Sequence, residues 1–301
     1  MAGPTATGKT GLGIALAEAL GRPDRPVEVI SADSRQVYRG LDIGTAKVTA
    51  EERARVVHHG LDLVEPDAPF SVADFRDHAL GALRDLASRG GIGLLVGGTG
   101  LWLRAVARGL DTDALPSDRA VRAALEARLT SDGLAPLVDD LTTRAPTLAA
   151  SVDLANPRRV VRALEIATLG GDAPRPVPRG YPAPIVWLGL DVTDRAEHAR
   201  RIAVRARQQF DDGLIDEARA LRERFEPSLP AFSAIGYREA WSVLDGERTL
   251  EEAIEDDARR NVQFSKRQRT WFRSEPDVTW LEGGPDATAR ALALAARVAG
   301  R

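Results

Sequence analysis

Gly3-Pro4-Thr5-Ala6-Thr7-Gly8-Lys9-Thr10 is a complete G-x-x-x-x-G-K-[ST] phosphate loop. In such a loop the glycines let backbone N–H groups curl around an anion, Lys9 puts a point charge on a terminal phosphate, and the Thr10 hydroxyl can hold a magnesium ion. Gly3, Thr5, Ala6, Thr7, Gly8, Lys9 and Thr10 are therefore the candidate phosphate-binding residues, and Thr10 is the candidate metal ligand. A glycine-rich surface turn ahead of an ordinary helix is the competing reading. Asp33 is the second candidate, a carboxylate just past the apolar run Val27 to Ser31, where open α/β sheets place ligands. Turn capping explains a lone aspartate equally well. In Gly97-Gly98-Thr99-Gly100, glycines allow close backbone approach and Thr99 offers a hydroxyl at the same predicted sheet edge. A tight turn alone also accounts for it.

Basic residues form three further groups. Arg201 and Arg205 stand one helical turn apart, a spacing suited to clamping two phosphates or to an exposed charged face. Arg158, Arg159 and Arg162 crowd a helix start, where they oppose the macrodipole and call for a negative partner. Gln263, Lys266, Arg267 and Arg269 belong to a helix in which Asn261, Gln268, Trp271 and Phe272 interleave with the bases. That mixture suits phosphates, base edges and stacking. The helix also runs from acid to base, which complements its dipole without any ligand.

The elements that position these residues are legible as α/β. A helix is predicted over Gly11 to Leu20, with Leu12, Ala15, Leu16, Ala19 and Leu20 on one apolar face. Buried strands are predicted at Val27 to Ser31 and Ile92 to Val96, linked by a helix that Ser71 and Asp74 cap and whose inner face is Phe75, Ala79, Leu83 and Leu86. Residues 51–69 read as irregular, and the adjacent His58 and His59 point apart, which disfavours a metal pair. From Pro116 to about Gly171 the pattern is helical throughout: Ser117 caps one helix with Val121, Leu125 and Leu129 inward, a second covers Leu134 to Arg144, and Asn156-Pro157 opens a third that Gly170 stops. A proline-rich connector to Pro184 precedes strands at Ile185 to Leu190 and Val278 to Leu281. A phosphate loop normally leaves a buried strand, yet only Met1 and Ala2 precede Gly3, so the chain looks clipped at that point.

With 301 residues, 44% apolar and 28% charged, the chain has the composition of an ordinary globular protein of one large or two modest domains. Zero cysteines exclude disulfides and thiolate metal sites and fit a reducing cytoplasm. A net charge of −3 excludes a uniformly basic nucleic-acid binder but permits a local basic patch. No apolar run is long enough for a membrane span.

The loop, then Asp33-Ser34-Arg35-Gln36-Val37-Tyr38-Arg39 with Asp42-Ile43-Gly44-Thr45-Ala46-Lys47, then Gly97-Gly98-Thr99-Gly100-Leu101, then Gly236-Tyr237-Arg238, in this order, resemble the bacterial tRNA dimethylallyltransferases. The resemblance covers Gly3 to about Leu281, and Trp102 departs from it where the family often has tyrosine. It implies a P-loop NTPase-like parallel sheet flanked by helices, formed by 1–115 and 172–301, with an all-helical insertion domain, 116–171, gripping the tRNA anticodon stem-loop. The implied reaction moves a dimethylallyl group from dimethylallyl diphosphate to N6 of the adenosine 3′ of the anticodon, position 37, in tRNAs reading codons that begin with U. On this reading the loop, Arg201 and Arg205 bind diphosphate, Mg2+ sits at Thr10, Asp33 is the general base and Thr99 orients the amine. The implied tRNA contacts are Asp33, Ser34, Arg35, Gln36, Arg158, Arg159, Arg162, Ser233, Gly236, Tyr237, Arg238, Gln263, Lys266 and Arg267. A monomer in the cytoplasm, with no membrane partner, is expected. An adenylate isopentenyltransferase, a P-loop small-molecule kinase and an RNA-binding module with a vestigial loop are the rival readings.

Overall fold

The computed structural model describes residues 1–110, 115–173, 177–284 and 286–299, with side chains as far as residue 296. Pro174 and Pro176 of the predicted connector lie outside the described residues. In chain order the elements are α1 (Lys9–Leu20), β1 (Val27–Ser31), α2 (Ala50–Arg55), β2 (His58–His59), α3 (Val72–Ser88), β3 (Ile92–Val96), α4 (Gly100–Ala107), α5 (Arg119–Asp132), α6 (Ala135–Arg144), α7 (Pro146–Ala150), α8 (Pro157–Gly170), β4 (Leu188–Asp191), α9 (Arg195–Asp211), α10 (Leu214–Arg222), α11 (Tyr237–Leu244), α12 (Leu250–Arg273), β5 (Thr279–Glu282) and α13 (Asp286–Ala299). They form two compact units, Met1–Ala107 with Tyr181–Arg301, and Arg108–Gly180.

The first unit is α/β with parallel strands. β1 is buried along its whole length and pairs in parallel with β3, from Val27↔Ile92 to Ser31↔Val96. Its other edge carries β2, through Val29↔His58 and Ile30↔His59. β4 and β5 form a second parallel pair. Ala2 joins the two sheets with parallel bridges to Gly97 and Gly189, donating to the Leu188 carbonyl and accepting from the Leu190 N–H, each at 2.8 Å. Met1 and Ala2 thus take the place of the last residues of the strand expected ahead of the loop. Beside them an apolar cavity of about 420 Å³ separates β3 from the segment that leads into β4, so β3 is only partly buried.

α1 buries two faces rather than one: Ile14 and Ala17 meet Val29 and Val96, while Leu12 and Leu16 meet Leu190, Leu281 and Ala291. Ala19 is exposed, because a helix between two apolar neighbours needs apolar residues all round only where it touches them. Residues 51–69 are not wholly irregular. α2 is fixed by a Thr49–Glu52 capping box and buries no residue, so it has no hydrophobic period to read, and β2 is too short to show one. The Ser71–Asp74 box and the buried Phe75, Ala79, Leu83 and Leu86 of α3 are as expected.

The second unit is helical, its core formed by Leu125, Leu137, Leu141, Leu148, Val160, Val161, Leu164 and Ile166. Asn156 caps α8 with Pro157 in the first turn, and Gly171, at φ 76°, ends it in place of Gly170. Asp118, not Ser117, caps α5. Ser117 is drawn instead to Glu165, a buried acid that also takes the Asp118 N–H at 2.9 Å and the guanidinium groups of Arg122 and Arg162.

Candidate active site

The phosphate loop is held in shape by its own residues and by α9 and α12. Gly8 adopts φ 91° as the cap of α1, and the Thr7 hydroxyl donates to the Pro4 carbonyl at 3.0 Å. Thr5 is gripped on three sides. Its N–H donates to Gln268 Oε1 at 2.9 Å, its carbonyl accepts from His198 Nε2 at 2.8 Å, and its hydroxyl accepts from Arg205 Nη1 at 3.0 Å. Gln268 also donates to the Gly98 carbonyl at 3.0 Å, tying the loop to the turn after β3. A Cβ on Gly98 would come within 2.3 Å of Gln268 Nε2, and one on Gly100 within 2.2 Å of the Trp271 ring. The glycines of that turn are therefore where α12 lies against it.

Thr5, Lys9, Thr10, Asp33, Arg205 and Gln268 line a single cavity of about 90 Å³. Its charge is predominantly positive and desolvated. Burial, and then Arg205, lower the Lys9 pKa to about 7, against a smaller opposing pull from Asp33. Burial likewise lowers Arg205, which Asp33 and Asp257 partly restore. Two cations that depress their own ionisation in one cleft are stabilised by an anion placed between them. Asp257 responds the other way: burial raises it to about 6, despite the hydrogen bond from Asn261. Thr10 is exposed at this cavity, and among the described residues no group of three His, Cys, Asp or Glu could hold a metal. A magnesium ion here would rest on one hydroxyl, phosphate oxygens and water, a donor set that magnesium accepts.

In the same cavity, Asp33 Oδ1 accepts the Arg35 N–H at 2.9 Å, so the aspartate both shapes its turn and lines the cleft. Thr99 does not line it. Its hydroxyl accepts the Ser34 N–H at 3.0 Å and steadies the turn that carries Asp33. Gln36 donates to the Thr45 and Ala46 carbonyls, and Lys47 is buried against Asp42 and Asp62, so the segment from Asp33 to Lys47 is knitted together internally. Glu217 closes it further, accepting the N–H groups of Asp42, Ile43 and Gly44.

The outer candidates divide by exposure. Ser233, Arg238, Gln263, Lys266, Arg267, Arg158 and Arg159 are exposed. Gly236 is buried, and Tyr237 is fully buried with its hydroxyl donated to Glu217 at 2.7 Å, so neither presents a side chain to a ligand. Arg162 is spent on Glu165, Arg201 on Glu197 at 2.9 Å, and Arg35 on the Pro230 carbonyl at 2.8 Å. Of the aromatic residues on α12, Phe272 is buried and Trp271 packs on Gly100 beneath the Arg104 guanidinium, 4.5 Å from the ring centre. Phe264, 37% exposed, is the aromatic ring of α12 that lines the cavity.

Sequence reasoning missed His198 and Asp191 and gave Gln268 and Arg269 no role at the loop. For Gln268 and Arg269 the signal was polarity on the inward side of α12, where Ser265, Gln268, Arg269 and Phe272 fall on the buried face.

A family model described as IPP transferase matches residues 36–275. The tRNA dimethylallyltransferase of Bifidobacterium longum is 41% identical over 300 residues, covering 98% of this chain and 89% of the relative. That of Thermus thermophilus is 45% identical over 294 residues, covering 95% and 93%. Among solved structures, the full-length tRNA isopentenylpyrophosphate transferase of Bacillus halodurans matches with a TM-score of 0.72 and 40% identity, covering 99% of this chain and 95% of that one. A eukaryotic dimethylallyltransferase acting on tRNA matches with a TM-score of 0.80 and 26% identity, covering 100% and 79%.

Proposed function

The chain belongs to the IPP transferase family, and from that premise we propose that it transfers a dimethylallyl group from dimethylallyl diphosphate to tRNA. The acceptor is N6 of the adenosine at position 37, beside the anticodon, in tRNAs reading codons that begin with U. The observation that carries this reading is that Asp33 and the phosphate-binding groups Lys9, Thr10 and Arg205 line one cavity.

An exocyclic adenine amine is a poor nucleophile, so its alkylation needs a good leaving group and a base. The N–C bond forms at the allylic carbon as the C–O bond to diphosphate breaks. Lys9, Arg205 and the loop N–H groups hold the charge that builds on the leaving diphosphate. Magnesium at Thr10, when bound, adds positive charge beside it. Asp33 accepts the N6 proton, and Thr99 acts through the turn that presents Asp33. The adenine reaches this cleft turned out of its stack, which costs little in a single-stranded loop.

The anticodon stem-loop is bound through exposed Ser233, Arg238, Gln263, Lys266 and Arg267, and through Arg158 and Arg159 on the helical unit. These side chains offer charge and hydrogen bonds to RNA phosphates and base edges. We take the enzyme to act as a monomer in the cytoplasm; no helix of the described residues is long and apolar enough to cross a membrane.

The test is incubation with labelled dimethylallyl diphosphate and, in separate reactions, tRNA, AMP or ATP. Label in tRNA, recovered as N6-dimethylallyladenosine after digestion, is the expected result. Label in AMP alone would assign the chain to free-nucleotide prenylation, and phosphoryl transfer from ATP would make it a kinase.

A further inference from the structure

Behind the phosphate loop runs a buried polar chain that the reaction does not use. Asp191, at the end of β4, accepts Arg269 Nε at 3.1 Å on both carboxylate oxygens, and Arg269 Nη2 lies 2.8 Å from His198 Nδ1. His198 is 2% exposed, Asp191 5% and Arg269 9%. A guanidinium can only donate, so Nδ1 must accept and the imidazole proton sits on Nε2. That proton points at the Thr5 carbonyl, 2.8 Å away. Burial lowers the His198 pKa, in keeping with a neutral ring.

The Thr5 carbonyl matters because of the residue after it. Ala6 stands at φ 57°, a left-handed conformation that a non-glycine residue adopts only when its surroundings hold it there. In a trans peptide the carbonyl of one residue and the N–H of the next point in opposite directions. Fixing the Thr5 oxygen toward α9 therefore turns the Ala6 N–H the other way, away from His198. If the Thr5–Ala6 peptide turned over, it would present a carbonyl where an anion needs a donor.

We propose that His198 is a positioning residue for the donor: held by Arg269 and Asp191, it locks the Thr5–Ala6 peptide with the Ala6 N–H facing the diphosphate. The inference rests on the reading of this loop as a diphosphate site. The side chain touches no substrate and acts through the backbone of the loop.

The experiment measures inorganic pyrophosphate affinity by calorimetry, with magnesium present, for the unaltered protein and for His198→Leu, His198→Gln and His198→Asn, alongside their melting temperatures. Glutamine can reach the Thr5 carbonyl with an amide donor, whereas asparagine keeps only an acceptor near Arg269. We expect Leu and Asn to weaken pyrophosphate binding about tenfold and Gln to stay within about threefold. In turnover assays the same variants raise the KM for dimethylallyl diphosphate by the same factor, with kcat little changed. Should the leucine variant not fold, the Gln and Asn pair decides alone. Equal affinity in all variants, whatever their melting temperatures, would reduce His198 to a packing residue between α9 and α12. Failure of the unaltered protein to bind pyrophosphate would remove the diphosphate site itself, and the inference with it.

Discussion

Arg205 Nη1 lies 3.0 Å from the Thr5 hydroxyl, so a guanidinium from α9 touches the phosphate loop, while Arg201, one turn earlier on the same helix, is engaged by Glu197 at 2.9 Å. Of the pair whose spacing suited either a two-phosphate clamp or an exposed charged face, Arg205 lines the cavity and Arg201 sits in a partly exposed ion pair. A charge-assisted hydrogen bond to an ionised group is worth about 1.5–3 kcal/mol. Arg205→Met should therefore raise the KM for dimethylallyl diphosphate by about 10- to 100-fold, and Arg201→Met by less than about threefold. Steady-state kinetics on the two variants separate the roles; equal effects would contradict the assignment.

Lys9 gives the donor site a pH dependence. Burial and Arg205 bring its pKa down to about 7, and only its charged form attracts phosphate. As pH rises through 7 the free protein loses that charge, so binding a diphosphate must take up a proton. Pyrophosphate affinity should then fall by up to about tenfold per pH unit above 7. The ligand's own titration is common to the unaltered protein and Lys9→Met, so the ratio of their affinities isolates Lys9 and should shrink as pH rises from 6 to 9. Parallel profiles for the two proteins would show that Lys9 is not the titrating group.

Glu165 organises the helical unit from within. It is fully buried and meets Arg122, Arg162, the Ser117 hydroxyl and the Asp118 N–H. Glu165→Ala takes the acceptor from the Asp118 N–H and the carboxylate from both arginines, while Arg162 keeps the Pro116 and Leu115 carbonyls and Arg122 the Ser117 hydroxyl, so the cost should be about 2 kcal/mol. Urea unfolding reads that loss, while pyrophosphate affinity should be unchanged because the loop belongs to the other unit. An equal loss of pyrophosphate affinity would contradict the division of labour.

How much of this was legible in the sequence depended on whether a residue's neighbours were local. The loop, the Ser71–Asp74 cap, the inner face of α3 and the paired β1 and β3 rest on short-range patterns and could be read directly. α2 buries nothing and β2 spans two residues, so neither carried a period. The roles of Thr99, Gln268 and His198 depend on partners 65, 170 and 193 positions away in the chain, which no spacing rule reports. Tyr237, which the resemblance offered as a tRNA contact, is packed against the Gly44 backbone and donates to Glu217, 20 positions earlier in the chain.

The exposed basic end of α12 should govern salt sensitivity. Lys266 and Arg267 face solvent, while Gln268 and Arg269 face inward. Replacing Lys266 and Arg267 together by alanine should weaken tRNA binding for all cognate tRNAs alike and lower the salt slope by about 2. Fluorescence anisotropy across a salt series measures both. An unchanged slope would place the RNA elsewhere.

In the proposed reaction Asp33 serves the amine and Lys9 the diphosphate, and both line one cleft. The most direct test is single-turnover prenylation with separately measured affinities for pyrophosphate and tRNA, in Asp33→Ala and Lys9→Met. Asp33→Ala should slow the chemical step by about 10²- to 10⁴-fold while both affinities stay near those of the unaltered protein, and Lys9→Met should weaken pyrophosphate binding with tRNA affinity intact. Normal single-turnover rates in Asp33→Ala would contradict the account.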